Sequence, residues 1–199
     1  MEKLVKIPTS NNRKIYCKIR GPLSRPVIVF VHGLTSDMEE HIFFNGTRFL
    51  EKHGYSSLRF DLYGYNSNQR KMKDCTLKIH AHDLDLVLAY LRRRGVKKIC
   101  VIGHSYGGPA ILYSNKKDFD LVIFWDSSYG KSAIFPSARF NKILGEWIYP
   151  GRFDFIIGNA MVKECRGSNF GPMVKKISVP IKIICAGKGV LKKRGQSVF

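Results

Sequence analysis

Residues 101–108 read VIGHSYGG, and this stretch decides the fold. The β-rich run at 98–102 predicts a β-strand, and the pattern over 106–116 predicts a short helix. Between them, Gly103 to Gly107 match G-x-S-x-G, a pattern that occurs by chance in chains rich in glycine and serine. Its place directly after a strand and directly before a helix makes it specific for a sharp strand–turn–helix element around Ser105.

The chemistry of a nucleophilic serine explains this spacing. The hydroxyl of Ser105 must project from a strained turn, and a bulky residue two positions away would crowd it, so Gly103 and Gly107 fit the need. Gly108 and Ala110 let the helix lie close to the sheet. The helix N-terminus also offers N–H groups to a developing anion. Ser105 is therefore predicted to be a nucleophile; the alternative is a glycine-rich turn without chemistry.

A second feature is the sequence His32-Gly33-Leu34, which follows the apolar run at 26–31. A strand that ends in His-Gly fits a loop donating one N–H group to an oxyanion. We assign the predicted oxyanion hole to the backbone N–H groups of Leu34 and Tyr106, each worth about 3–4 kcal/mol to a tetrahedral intermediate. His32 is predicted to be structural and to brace the loop by hydrogen bonds.

The rest of the chain alternates between strand-like and helix-like stretches, which predicts an α/β fold with a mostly parallel sheet and helices on both faces. The predicted strands are residues 4–7, 14–19, 26–31, 57–60, 98–102, 121–125 and 181–185, and the predicted helices are 39–53, a segment containing 84–91, and 106–116. The first two strands are predicted to be joined by a turn at Asn11-Asn12.

One domain is expected, with a core of residues 1–128 and 178–199 and an insertion at about 129–177. The insertion contains apolar residues that fit one face of a helix: Phe140, Ile143, Leu144, Trp147 and Ile148. It is predicted to form a small cap over a pocket, as loops at strand ends commonly do. The apolar cap suggests an apolar or aromatic acyl group in the substrate.

Composition limits the classes of protein that the chain can belong to. The hydrophobic fraction of 44% is ordinary for a globular protein, and no apolar segment reaches the about 18 residues of a membrane helix. The start, MEKLVKIPTS, lacks a signal-peptide core, so a cytoplasmic location is expected. The five cysteines are scattered without a CxxC pair, which favours free buried thiols over disulfides or a zinc site. No metal or organic cofactor is implied.

The net charge of +19 arises from 34 Lys and Arg against 15 acidic residues. The basic residues form short runs at predicted element ends: 92–94, 97–98, 116–117, 175–176 and 192–194. Because no nucleic-acid-binding motif accompanies them, a solvated surface is favoured over a nucleic-acid partner. Steeply salt-dependent binding to DNA would support the nucleic-acid alternative. The oligomeric state cannot be read from the sequence.

Four segments together resemble the α/β-hydrolase superfamily, in particular its soluble esterase, lipase and serine-aminopeptidase-like branches. They are VFVHGL (29–34), LRFDLYGYNS (58–67), HDLDLVLAYL (82–91) and VIGHSYGG (101–108). The resemblance implies the α/β-hydrolase fold and hydrolysis of a small-molecule carboxylic ester through an acyl-enzyme on Ser105. It also implies a structural role for Asp61 and a His104 side chain directed away from the nucleophile. It does not identify the substrate.

The catalytic pattern of the superfamily is incomplete in this sequence. Its order is serine, acid, histidine, yet all six histidines precede Ser105: His32, His41, His53, His80, His82 and His104. The histidine that the family requires is expected beyond residue 199, together with a last strand and helix. The usual acid position, in a G-x-x-D pattern, holds Val190. Asp126, directly after the strand at 121–125, is either the acid that orients the base or a residue that caps the next turn.

Three explanations fit the missing histidine. The favoured one is a truncated gene or fragment, since residues 192–199 read like the start of a helix cut short. In the second, an upstream histidine has taken over as the base. In the third, the chain is a catalytically inactive relative that binds a small molecule with the same fold.

Overall fold

The computed structural model describes residues 2–129, 137–150 and 154–186, and within them seven strands form one central sheet. In chain order the strands are β1 (Glu2–Pro8), β2 (Lys14–Arg20), β3 (Val27–Val31), β4 (Ser56–Phe60), β5 (Ile99–His104), β6 (Leu121–Trp125), β7 (Arg139–Asn141), β8 (Glu146–Tyr149), β9 (Phe155–Ile157) and β10 (Ile181–Ile184). The helices are α1 (His41–Lys52), α2 (Leu77–Arg93), α3 (Gly107–Leu112), α4 (Asn159–Gly167) and α5 (Gly171–Val174), with a 3-10 turn at Met72–Asp74.

The central sheet has the order β1-β2-β4-β3-β5-β6-β10. The contacts among β4, β3, β5, β6 and β10 are parallel, whereas β2 is antiparallel to both β1 and β4. The turn between β1 and β2 has left-handed backbone at Asn11 (φ 59°) and Asn12 (φ 54°), as a tight hairpin requires. The prediction of a mostly parallel sheet and the prediction of this turn are both confirmed.

Helices cover both faces of the sheet, because alternate residues of the buried strand β3 face opposite sides. Val27, Val29 and Val31 belong to the large core cluster that includes the apolar residues of α2 and α3. Ile28 and Phe30 instead pack with Phe43 of α1 in a smaller cluster. The predicted helices on both faces are therefore confirmed.

The carboxyl ends of β3, β5 and β6 lie side by side. Val31 is paired with Gly103, and His104 is paired with Trp125. The segments that follow these three strands consequently meet at one edge of the sheet, which is where ligands bind in open α/β sheets.

The helix predicted across Phe140 to Ile148 is wrong, because β7 and β8 form an antiparallel hairpin there. Gly145 has φ 65°, and the Asn141 side chain accepts hydrogen bonds from the next turn. The rings of Phe140 and Trp147 lie 5.5 Å apart across the hairpin. Their spacing along the chain fits a helical face and two short strands equally, and the turn residues decide between them. β9 adds a third antiparallel strand next to β8.

The described residues include no helix that is long and apolar enough to cross a membrane. All five cysteines are free thiols, and Cys17, Cys75 and Cys165 are buried as predicted, whereas Cys185 is exposed. In the same described ranges, no three His, Cys, Asp or Glu side chains come together in a way that could hold a metal ion.

Candidate active site

Ser105 occupies a strained turn between β5 and α3. Its φ is 49°, a conformation that costs a residue other than glycine about 1–3 kcal/mol. Three backbone hydrogen bonds hold the turn: the Ser105 N–H donates to the Trp125 carbonyl (3.1 Å), and the Ser105 carbonyl accepts from Gly108 (3.2 Å) and Ser128 (3.0 Å). The predicted strand–turn–helix element is present, and its neighbours hold the serine in a conformation that it would not adopt alone.

Gly103 and Gly107 are required by close packing around this turn. A Cβ atom at Gly107 would lie 2.2 Å from the carbonyl oxygen of Val31, in the backbone of β3. A Cβ atom at Gly103 would lie 2.6 Å from Cδ1 of Ile111 and 2.8 Å from the nitrogen of Gly108. The prediction that glycine relieves crowding at both positions is confirmed.

The loop after β3 lies directly against the serine. A Cβ atom at Gly33 would be 3.3 Å from Cβ of Ser105, so the loop backbone passes within van der Waals distance of it. Thr35 then turns the chain with φ 61°. Leu34 and Tyr106, whose N–H groups are the predicted oxyanion donors, belong to the two segments that meet at this point.

His32 braces this loop through both ring nitrogens. Its Nδ1 donates to the Gly33 carbonyl (2.8 Å), and its Nε2 accepts from the N–H of Leu62 (3.0 Å). Burial lowers the pKa of His32 to about 4, so the ring is neutral near pH 7. The predicted structural role is confirmed, and neither nitrogen is left to act as a base.

His104 packs away from the elbow, between aromatic side chains. Its ring centroid lies 6.0 Å from that of Phe43 on α1 and 5.5 Å from that of Trp125. Burial lowers the pKa of His104, although the charges of Glu40 and Asp126 act in the opposite direction. Nδ1 of His104 has no hydrogen-bond partner within the described residues. The orientation implied by the superfamily resemblance is present.

Asp126 stands at the carboxyl end of β6, next to the elbow. Its φ is 45°, and its N–H donates to the Ile184 carbonyl of β10 (2.6 Å). Its Oδ1 atom is buried and, in the described part of the chain, has no hydrogen-bond partner. A buried carboxylate oxygen without a partner is costly. Among the described residues, this oxygen therefore accepts no hydrogen bond that would support the turn-capping alternative.

Ser128 was not predicted, yet it contacts the nucleophile. Its Oγ lies 3.3 Å from Oγ of Ser105, and its N–H donates to the Ser105 carbonyl. The signal that could have identified it is topological. β5 and β6 are parallel neighbours, so the residues after β6 must lie beside the residues after β5.

None of the six histidines hydrogen bonds to Ser105 in the described structure, which includes all six. His41 and His53 bond within α1, and His82 is exposed on α2. His80 is fully buried with its ring 5.6 Å from that of Tyr106, and burial lowers its pKa to about 3. The upstream histidines are therefore not arranged as a base for this serine.

A cavity of about 720 Å³ is lined in part by Thr35, the residue that follows Leu34 in the chain. Its described lining includes three aromatic residues and three acidic residues but not Ser105: Tyr63, Tyr65, Phe155, Asp37, Glu39 and Asp61. Phe155 belongs to β9, so the small sheet borders the cavity. Asp61 accepts hydrogen bonds from the Met38 N–H (2.9 Å) and from Gln69 (3.0 Å), which agrees with its predicted structural role. Val190 and residues 192–199 lie outside the described residues.

The strand order and the strained serine define the α/β-hydrolase fold. A family model described as alpha/beta hydrolase fold matches residues 26–114. The chain is 33% identical over 97 residues to "Putative esterase/lipase" of Haemophilus influenzae, covering 48% of this chain and 31% of that protein. It is 30% identical over 89 residues to "Putative esterase/lipase 2" of Mycoplasma pneumoniae, covering 44% of this chain and 31% of that protein.

The solved structure of Est1E from Butyrivibrio proteoclasticus with ferulic acid bound is similar at a TM-score of 0.73. That match has 19% sequence identity and covers 90% of this chain and 77% of Est1E. The chain spans about a third of the length of the curated relatives that it matches. The chain thus has the α/β-hydrolase fold, and over slightly less than half of its length it is similar to curated esterase/lipase relatives.

Proposed function

We propose that the chain carries the nucleophilic half of a serine hydrolase that cleaves a carboxylic ester through an acyl-enzyme on Ser105. The observation that carries this proposal is the left-handed backbone of Ser105 at φ 49°, on a turn whose flanking glycines admit no side chain. Strain of this kind persists only where the surroundings enforce it, and it clusters at active sites. It presents the serine hydroxyl at the ligand-binding edge of the sheet.

In the proposed reaction, Oγ of Ser105 attacks the ester carbonyl carbon and gives a tetrahedral intermediate. The N–H groups of Leu34 and Tyr106 would stabilise its oxyanion, since they lie on the two segments that meet at Gly33 and Ser105. Collapse of the intermediate expels the alcohol, which takes up the proton from Oγ, and leaves the acyl group on Ser105. Water then attacks the acyl-enzyme and releases the acid.

Asp126 is the proposed acid of the triad. Its buried Oδ1 has no partner in the described residues, as expected of a carboxylate that serves a histidine ring nitrogen. Ser128, 3.3 Å from Oγ of Ser105, holds the serine hydroxyl in its resting position. The base itself is not supplied by any of the six histidines in their described positions.

This arrangement has a kinetic consequence for residues 1–199. In serine hydrolases, loss of the histidine removes nearly all of the gain from the triad and leaves about 10³–10⁴-fold catalysis over water, from the oxyanion hole and binding. In the second step, in which water attacks the acyl-enzyme, that histidine is likewise not there to take up the proton of the water. Both steps should therefore be slow, and an acyl-enzyme formed from a reactive ester should accumulate rather than turn over.

Acylation by a p-nitrophenyl ester tests the proposal. We expect incubation of residues 1–199 with p-nitrophenyl acetate to add one acetyl group to the peptide that contains Ser105, as measured by peptide mass spectrometry. Ser105→Ala should remove that modification and leave background acetylation of lysines unchanged. Acetylation confined to lysines in both proteins, with the fold intact by circular dichroism, would count against the nucleophile.

A non-catalytic relative is the second candidate function, and it is favoured because no histidine hydrogen bonds to Ser105 in the described part of the chain. The cavity bordered by Tyr63, Asp61 and Phe155 would then bind a small molecule without reaction. Its mixture of aromatic and acidic side chains suits a ligand with both apolar and polar or cationic groups. Under the enzyme proposal, the insertion at 129–177 acts as a cap that borders the substrate in this cavity.

A further inference from the structure

Four of the five short basic runs, in three segments of the chain, come together at one edge of the sheet, and the fifth, at 192–194, lies outside the described residues. Residues 92–98 precede β5, residues 116–120 precede β6, and residues 175–176 precede β10. Because these three strands are parallel neighbours, their amino ends lie side by side. The edge they form is opposite the edge that carries Ser105.

Two contacts confirm that the runs are neighbours in space. Arg92 forms ion pairs with Asp118 (2.9 Å) and Asp120 (3.1 Å), which join the segment at 92–98 to the segment at 116–120. The Val122 N–H donates to the Pro180 carbonyl (3.1 Å), which places the start of β6 beside the segment that leads into β10. Burial lowers the pKa of Lys117, and the charge of Lys176 acts in the same direction. The runs thus form one continuous surface.

The two carboxylates at this edge do not balance its positive charge. The three segments contain nine Lys and Arg and two Asp, a difference of seven. Asp118 and Asp120 form ion pairs with Arg92 and Lys98. Lys117 donates hydrogen bonds to backbone carbonyls at the end of α3. The remaining six side chains are exposed and have no carboxylate partner in the described residues, and we call them the basic edge: Arg93, Arg94, Lys97, Lys116, Lys175 and Lys176.

We propose that the basic edge is a docking surface for an anionic lipid membrane. Clustered exposed cations are attracted to the negative surface potential of such a membrane, and each contributes a factor of about five to the partition constant. Four of the six are lysines, whose ammonium groups act as mobile point charges. Docking here would leave the edge with Ser105 facing solution.

The placement of these side chains favours a lipid surface over duplex DNA. Arg93 is the last residue of α2, and the other five lie on helix caps or connecting loops. Groove recognition requires a helix or a two-stranded ribbon that enters the groove, and the basic edge presents neither. A membrane surface requires only charge density on an exposed face.

Vesicle binding with matched charge variants tests this proposal. The edge variant replaces Lys97, Lys116, Lys175 and Lys176 with glutamine. The control variant makes the same change in charge at four exposed lysines away from the edge: Lys3, Lys14, Lys78 and Lys142. Co-sedimentation is measured at low ionic strength with vesicles of phosphatidylcholine plus phosphatidylserine and with vesicles of phosphatidylcholine alone, after circular dichroism has confirmed the fold of each protein.

We expect the unaltered chain to bind the phosphatidylserine vesicles and not the phosphatidylcholine vesicles, and salt to reverse the binding. The edge variant should lose about 100-fold or more in partition constant, while the control variant should lose less than about tenfold. Equal losses in the two variants would overturn the proposal, because net charge alone would then explain binding. Absence of vesicle binding, or binding to duplex DNA in its place, would also overturn it.

Discussion

Gly107→Ala is expected to destabilise the protein by more than about 3 kcal/mol and to abolish the turn that holds Ser105. The new Cβ would lie 2.2 Å from the carbonyl oxygen of Val31 and 3.0 Å from that of His32. Both are backbone atoms, so no side-chain rotation can relieve the contact, and α3 must move away from β3. Urea denaturation followed by circular dichroism measures the loss.

Gly167→Ala is the matched control for this substitution. Gly167 ends α4, and a Cβ there meets no atom within 4 Å. Alanine is a better helix former than glycine by up to about 1 kcal/mol, so this variant should be as stable as the unaltered chain or slightly more stable. A Gly107→Ala protein that also keeps full stability would show that the close contact between α3 and β3 is not as described.

Asp83→Ala is expected to cost about 3–5 kcal/mol of unfolding free energy. Asp83 receives two hydrogen bonds from Arg70 (2.7 and 3.0 Å), and both side chains are buried. Arg70 also donates to Thr9 and Ser10 in the turn after β1, so the pair joins α2 to that turn. Removal of the carboxylate leaves a buried guanidinium without its counter-charge. Urea denaturation measures this loss as well.

Lys98→Gln provides the comparison at an exposed ion pair. Lys98 lies 3.3 Å from Asp120 and its side chain is 71% exposed. Exposed pairs contribute about 0–1 kcal/mol, so this variant should be nearly neutral. Similar losses in the two variants would contradict the view that burial makes the Arg70 pair costly to break.

The fold was predictable because its decisive signals are local. The buried run at 26–31, the glycines around Ser105 and the helical spacing near Leu84 each require a particular backbone. Their order along the chain then predicts a mostly parallel sheet with helices on both faces, which the structure has.

The insertion was mispredicted because short apolar stretches do not distinguish a helix from two strands. Phe140 and Trp147 fit a helical face but pair across β7 and β8. The information that decides the outcome lies in the turn, where Asn141 and the left-handed Gly145 reverse the chain. Ile143, which was predicted to lie on the apolar helical face of the cap, is 96% exposed at the tip of this hairpin.

The candidate site was predictable only in part. The elbow at Ser105 and the bracing role of His32 follow from sequence patterns. The Ser128 contact does not, because it depends on the pairing of β5 with β6 rather than on residues near each other in the chain. The unpartnered Oδ1 of Asp126 is likewise visible only in three dimensions.

Labelling with a fluorophosphonate tests most directly whether Ser105 is a preorganised nucleophile. We expect phosphonylation of residues 1–199 at Ser105, located by peptide mass spectrometry and absent in Ser105→Ala. We also expect added imidazole to accelerate labelling, since no described histidine contacts the serine hydroxyl. A folded chain whose Ser105 stays unmodified with and without imidazole, or whose labelling survives Ser105→Ala, would contradict the proposed role of Ser105 as the nucleophile.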